Sequence, residues 1–232
     1  MHLFYASDID SSRFEFSREE SRHCKVLRLN TSDTIYLTNG KGRLFHAIIN
    51  DADQNAYKAT IVKTINDFNK RTFKLHIAIA PTKSPDRFEW FLEKATEIGI
   101  DEITPLICEH SEKTVVKTDR LEKIMVSALK QSFSAYLPKL NACTTFSNFM
   151  LQNFQAAKFV AYCNDSERKL LKNEYIAPSN AVVLIGPEGD FSEAEISAAK
   201  KSGYMPISLG NNRLRTETAG IVACNIINIA NQ

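Results

Sequence analysis

The chain has 232 residues, 44% of them hydrophobic and 24% charged, with a net charge of +2. These values exclude a disordered or low-complexity chain and suit a globular protein of one large domain or a small domain plus a larger one. No apolar run approaches the roughly 18 residues of a membrane span, and a charge this near neutral confines any nucleic-acid binding to a local patch. The opening "MHLFYASDIDSSRFEF" lacks the basic start and long apolar core of a secretory signal. The cysteines (Cys24, Cys108, Cys143, Cys163 and Cys224) are odd in number and none form C-x-x-C, which argues against a disulfide frame and a cysteine zinc site. A reducing, cytoplasmic compartment is expected.

In chain order, Ser17 and Glu20 form a capping-box pattern opening a short helix, "REESRHCKVLRL". "TIYLTNGKGRLFHAIIN" holds two strand-like runs around Asn39-Gly40, a hairpin signal because both residues accept positive φ. After the turn-rich "DADQN", "AYKATIVKTI" (56–65) reads as a third strand, and "NDFNKRTF" (66–73) as a linker. A small β-rich domain with one helix is predicted.

From about residue 74, strands and helices alternate. Strands are predicted at 74–80, 102–108, 156–163, 180–186 and 205–210. Helix 85–99 has apolar residues at 88, 91, 92, 95 and 98, the spacing of one face, with Gly99 at its C-terminal end. Helix 118–132 is amphipathic and stops before Pro138. Ser192 and Glu195 form a second capping box on a helix ended by Gly203, and 216–230 is a helix apolar on nearly every side. This alternation implies a mostly parallel sheet covered on both faces.

In such sheets a ligand sits beyond the carboxyl ends of the strands. Three strand ends carry unusual residues: "IGPEGDF" (185–191), "SLGNNRLRTETAG" (208–220) and "AYCND" (161–165). Gly186, Gly189 and Gly210 permit close backbone approach or positive φ. A single turn glycine is unremarkable; two glycine-bearing strand ends, each followed by a helix start, suggest a backbone-lined pocket. Neither the dinucleotide fingerprint G-x-G-x-x-G nor the phosphate loop G-x-x-x-x-G-K-[ST] occurs, which argues against a nucleotide-dependent oxidoreductase. Gly220 inside the last helix costs roughly 1 kcal/mol relative to alanine, which points to close packing against a ligand, a chain crossing or a second subunit. No histidine pair has metal-ligand spacing, and no metal is expected.

"LIGPEGDFSEAEI" (184–196) with "LGNNRLRTETAG" (209–220) resembles the C-terminal signature of the SPOUT methyltransferases, within them the family that methylates N3 of a uridine in 16S ribosomal RNA. "FLEKATEIGIDEITPLICEHS" (91–111) and "HCKVLRLN" (23–30) resemble further blocks of that family, in the same order. One departure stands out: where the family carries an arginine-rich "EQSGR-x-x-x-P", this chain reads "KQSFSAYLPKL" (130–140).

The resemblance implies an α/β fold: a PUA- or OB-like β-barrel over 1–70 and a SPOUT parallel-sheet domain with a deep trefoil knot over 71–232. It implies S-adenosyl-L-methionine held by Leu184, Gly186, Pro187, Glu188, Gly189, Leu209, Gly210, Leu214, Thr216, Thr218 and Ala219, in a homodimer acting on 16S rRNA of the small ribosomal subunit. Arg215 is the candidate to stabilise charge developing on the uracil ring. Glu217 is either a general base or a first-turn carboxylate favoured by the helix dipole. Arg13, Arg22, His23, Lys25, Arg28, Lys41 and Arg43 are candidate RNA contacts, extended by Lys83 and Arg87. Ribose 2′-O methylation and non-catalytic RNA binding are the alternative functions.

Overall fold

The computed structural model describes residues 2–9, 12–53, 56–162 and 169–232. Cys163, Asn164 and Asp165 of the "AYCND" strand end therefore lie outside the described residues, as do Gln54 and Asn55 of the expected turn. The chain forms two compact units, Met1–Lys70 with Leu129–Leu137, and Arg71–Ala128 with Pro138–Gln232.

The first unit is a five-stranded sheet with a helix. Its elements are β1 (Leu3–Tyr5), β2 (Arg13–Glu15), α1 (Arg18–Val26), β3 (Thr34–Thr38), β4 (Leu44–Asp53) and β5 (Ala56–Ile65). The strand order is β1-β3-β4-β5-β2, with only β1–β3 parallel. Phe4, Phe16, Cys24, Ile35, Leu37, Phe45 and Tyr57 form its core. The predicted hairpin is present, with a longer loop than a two-residue turn. Asn39 does not take positive φ; its side chain accepts from the Lys41 and Arg43 backbone N–H groups (2.8 and 3.2 Å), and Gly40 and Gly42 take the left-handed positions. At α1 the Ser17 hydroxyl caps Glu20 N as expected, but the Glu20 carboxylate turns instead to Lys130 Nζ at 2.9 Å. The helix stops at Val26, short of the expected Leu29, because Arg28 is left-handed at φ 57°.

Lys130 belongs to the returning segment Leu129–Leu137, which completes this unit. Leu129 packs with Leu3 and Leu44, Leu137 N donates to Gly40 O (2.9 Å), and Gly42 N donates to Ala135 O (2.8 Å). The segment covers the part of "KQSFSAYLPKL" where family arginines are missing.

The second unit carries a seven-stranded, all-parallel sheet. In order it contains β6 (Leu75–Ile79), α2 (Pro85–Ile98), β7 (Glu102–Ile107), α3 (Thr118–Gln131), β8 (Lys139–Leu140), β9 (Thr144–Thr145), α4 (Phe146–Met150), β10 (Ala157–Ala161), α5 (Leu171–Glu174), β11 (Ala181–Ile185), α6 (Glu193–Lys201), β12 (Met205–Ile207) and α7 (Thr216–Ala230). The last residues of α3 pass into the first unit. Strands run β12-β10-β11-β6-β7-β8, with β9 also on β7. Every residue of β6 and β11 is buried, as expected of strands covered on both faces. The capping box of α6 is complete, Ser192 and Glu195 exchanging both bonds. β12 ends at Ile207, three residues before the expected Gly210.

The long apolar helix α7 packs on α2, β6, β11 and α5. Tyr175, just after α5, receives a 2.8 Å hydrogen bond from Asn231. The close neighbour of Gly220 is the protein's own core: a Cβ there would lie 2.6 Å from Phe91 Cε2 and 2.9 Å from Ile79 Cδ1. Neither a ligand nor a second subunit is needed to account for this glycine.

At the amino ends of the strands His76 is buried, its Nε2 2.7 Å from Thr104 Oγ1. Thr104 Oγ1 also accepts from the Asn141 amide (2.7 Å). Burial pushes the His76 imidazole down to about 4, against the opposing pull of Glu102 and with help from Lys139. Burial alone would raise the Glu102 carboxyl, but Asn141, His76 and Lys139 together hold it below its usual range. An unfolded histidine titrates near 6.5. The unfolded chain therefore binds more protons between these values. This contribution to stability is complete above about pH 6.5 and shrinks as pH falls toward 4, by up to about 3 kcal/mol. We expect urea unfolding of His76→Gln, measured from pH 7 to pH 4, to lose much of this slope.

Candidate active site

The carboxyl ends of β10, β11 and β12 lie side by side, Ala161 in register with both Ile185 and Ile207. β11 and β12 flank β10 although α6 connects them in the chain, so the loops leaving these strands diverge and a cleft opens between them. Its volume is about 330 Å³, within the range of small-molecule sites. Ala161, Ile185, Ile207, Leu209, Leu214 and Ala219 supply apolar wall; Tyr162, Glu188, Asp190, Ser208, Asn212, Arg213, Arg215 and Thr216 supply polar groups; Gly186 and Pro187 supply backbone.

Hydrogen bonds fix both loops. Thr216, the first residue of α7, donates its hydroxyl to Gly186 O (3.0 Å) and so ties the second loop to the first. Arg213 Nη2 reaches Glu188 O at 3.5 Å. The Glu188 carboxylate accepts from Lys83 N at 3.0 Å. Asp190 N bonds to Pro187 O (2.9 Å) and Asp190 stands at φ 65°, a left-handed position uncommon for a non-glycine residue. On the second loop, Gly210 at φ 153° needs glycine, and Ser208 Oγ donates to its carbonyl at 2.8 Å.

The cations nearby differ in their partners. Lys83 Nζ is 2.8 Å from Glu112 Oε2, and Arg87 Nε is 3.9 Å from Glu217 Oε1. Arg215, exposed at the N-cap of α7, has no carboxylate partner among the described residues and lines the cleft. Glu217 is buried, does not line the cleft, and its Oε2 has no hydrogen-bond partner among the described residues.

Of the residues singled out from sequence for the donor, Gly186, Pro187, Glu188, Leu209, Leu214, Thr216 and Ala219 come together here. Leu184 is buried inside the sheet, Gly189 faces His110, and Gly210 and Thr218 lie off the cleft lining. Neither Gly186 nor Gly189 takes positive φ. Ala161, Tyr162, Ile185, Asp190, Ser208, Asn212 and Arg213 lie in the three strand-end stretches marked in the sequence but were not named as donor contacts, and Ile207 lies just before one; the parallel register of β10, β11 and β12 brings these stretches together. Arg13, Arg22, His23, Lys25, Arg28, Lys41 and Arg43 are all exposed on the first unit, where Lys63 joins Arg43 in a shallow groove. Lys83 and Arg87 belong to the second unit and are paired as described.

Comparison with known proteins agrees with a transferase cleft. A family model described as an RNA methyltransferase domain matches residues 69–228, and one described as an RNA methyltransferase PUA domain matches 16–62. The chain belongs to the RNA methyltransferase family. Relatives of this methyltransferase include Ribosomal RNA small subunit methyltransferase E from Mesomycoplasma hyopneumoniae, 28% identical over 95% of this chain and 96% of the relative. A protein of the same name from Synechocystis sp. is 30% identical over 88% of this chain and 68% of its own. Among solved structures, a "probable rRNA-methyltransferase" from Porphyromonas gingivalis superposes with a TM-score of 0.91 at 38% identity, covering 99% of the methyltransferase and 98% of that chain. Ribosomal RNA small subunit methyltransferase E from Neisseria gonorrhoeae, bound to S-adenosyl methionine, gives 0.87 at 25% identity over 97% and 95%. No described helix of the methyltransferase is long and apolar enough to cross a membrane.

Proposed function

We propose that this enzyme transfers a methyl group from S-adenosyl-L-methionine to N3 of a uridine in 16S rRNA of the small ribosomal subunit. One observation carries the reading: an apolar, backbone-rich cleft whose rim holds Arg215, a cation without a carboxylate partner among the described residues. The cleft suits the donor. Its apolar wall fits an adenosine, its loop backbone offers hydrogen bonds to polar edges, and the Glu188 and Asp190 carboxylates suit a positively charged sulfur. When bound, S-adenosylmethionine supplies an electrophilic methyl on sulfur.

The chain's own groups supply the rest. Uracil N3 carries a proton and its lone pair is delocalised; loss of that proton to solvent spreads negative charge over N3, O2 and O4, after which N3 bonds to the methyl carbon as the carbon–sulfur bond breaks to leave a neutral thioether. A guanidinium fixed at the start of α7 meets that charge in a plane, and the helix dipole adds to it. Because Glu217 lies off the cleft and faces Arg87, the geometry favours its first-turn structural role over that of general base. N3 lies on the pairing edge, so the uridine must be unpaired or flipped out. The exposed basic residues of the first unit support contacts to phosphates. Ile229 on α7 and Trp90 on α2 are exposed large apolar residues, which supports contact with a second copy. On this reading the enzyme works where its small-subunit substrate is, in the cytoplasm.

The test is the position of the methyl group on 16S rRNA from cells lacking and restored for the gene. N3 methylation stops reverse transcription at one uridine and leaves the backbone sensitive to alkali; a ribose methyl would instead protect one phosphodiester bond. A methyl on ribose, or none, refutes the proposal.

A further inference from the structure

The loop at 186–191 lines the cleft through Gly186, Pro187, Glu188 and Asp190, yet its strained residue is held from outside the cleft. His110, in the turn after β7, has Nδ1 3.0 Å from Asp190 O. A carbonyl only accepts, so Nδ1 carries the proton in this contact. The Cβ of His110 lies over the open side of Gly189, where an added Cβ would meet it at 3.0 Å. A second link lies alongside. The buried Glu195 carboxylate accepts from Glu109 N with Oε1 (2.9 Å) and from Ser192 N with Oε2 (2.9 Å), so one side chain spans the turn after β7 and the end of the cleft loop. The turn itself is closed by Cys108 N to Ser111 Oγ at 2.9 Å.

We propose that His110 is a positioning residue for donor binding: its Nδ1–H holds the Asp190 carbonyl and so keeps the left-handed turn that presents the loop to S-adenosylmethionine. This deepens the function proposed above and rests on it. A left-handed aspartate is unfavourable and persists only where its surroundings hold it. Glu195 secures the base of the loop, whereas His110 secures the strained residue itself. His110 is exposed and its removal leaves no buried gap, so its effect falls on the loop and not on folding.

The experiment compares the wild-type enzyme with His110→Ala and His110→Asn, by calorimetry with S-adenosylmethionine and by steady-state methylation of small-subunit RNA. Asparagine places an amide N–H where Nδ1–H stands. We expect His110→Ala to weaken donor binding about fivefold, the fold-change of one net hydrogen bond. KM for the donor should rise in step, kcat should stay within roughly twofold, and Tm should be unchanged. His110→Asn should recover most of the loss. Equal donor affinity in wild type and His110→Ala overturns the positioning role while leaving the donor site standing. So does a loss in His110→Ala that asparagine fails to recover. Absence of donor binding in the wild type overturns the function itself.

Discussion

Arg215→Ala should lower kcat by about 10²–10³-fold, the loss expected when one preorganised group facing developing charge is removed. The structure separates this residue from the other cations around the loops. Lys83 and Arg87 face Glu112 and Glu217, and Arg213 spends its guanidinium on the Glu188 carbonyl. Arg215 lines the cleft from an exposed N-cap with no such partner among the described residues. Removing it opens no core cavity, so the Tm and the donor Kd should stay near wild type while single-turnover methylation collapses. Arg215→Lys should recover only part, since an ammonium keeps the charge and loses the planar fork. Parallel loss of donor affinity and turnover would place Arg215 in the donor site instead.

Gly220→Val should destabilise the enzyme by about 3 kcal/mol, at the upper end for overpacking a close-packed core. Replacing a helical glycine usually helps by up to about 1 kcal/mol, and here that gain is overwhelmed. The first added carbon would lie 2.6 and 2.8 Å from the Phe91 ring and 2.9 Å from Ile79. Both side chains are fully buried, so neither has space to retreat into. Urea denaturation checks the size; a variant as stable as wild type would show that α7 can lift from α2 and β6 without loss.

The long elements were legible because their patterns are local. The helix predicted at 85–99 is observed as Pro85–Ile98, and that at 216–230 as Thr216–Ala230. Strands of two or three residues, such as β1, β2, β8 and β9, carry no readable period. The longer hairpin loop escaped because an asparagine side chain did the work expected of its backbone. At the cleft, glycine, proline and the Leu-Arg-Thr run announced themselves within single loops. The stretch "AYCND" marked Ala161 and Tyr162 as a strand end without giving them a role, and Ile207 went unmarked, since nothing in a lone strand says which neighbours lie beside its end. His110 lacked any neighbouring metal or acid-base pattern; its partner is a backbone carbonyl 80 residues away in sequence.

The return of Leu129–Leu137 to the first unit has a practical consequence for dissecting the molecule. A fragment cut at residue 70 would leave Leu3 and Leu44 without Leu129, and Glu20 without Lys130. Its shortfall in binding RNA would then reflect a damaged fold as much as a missing contact. An excised amino-terminal piece that keeps its native shape needs the nine-residue strap grafted back, for example through a short glycine-serine tether.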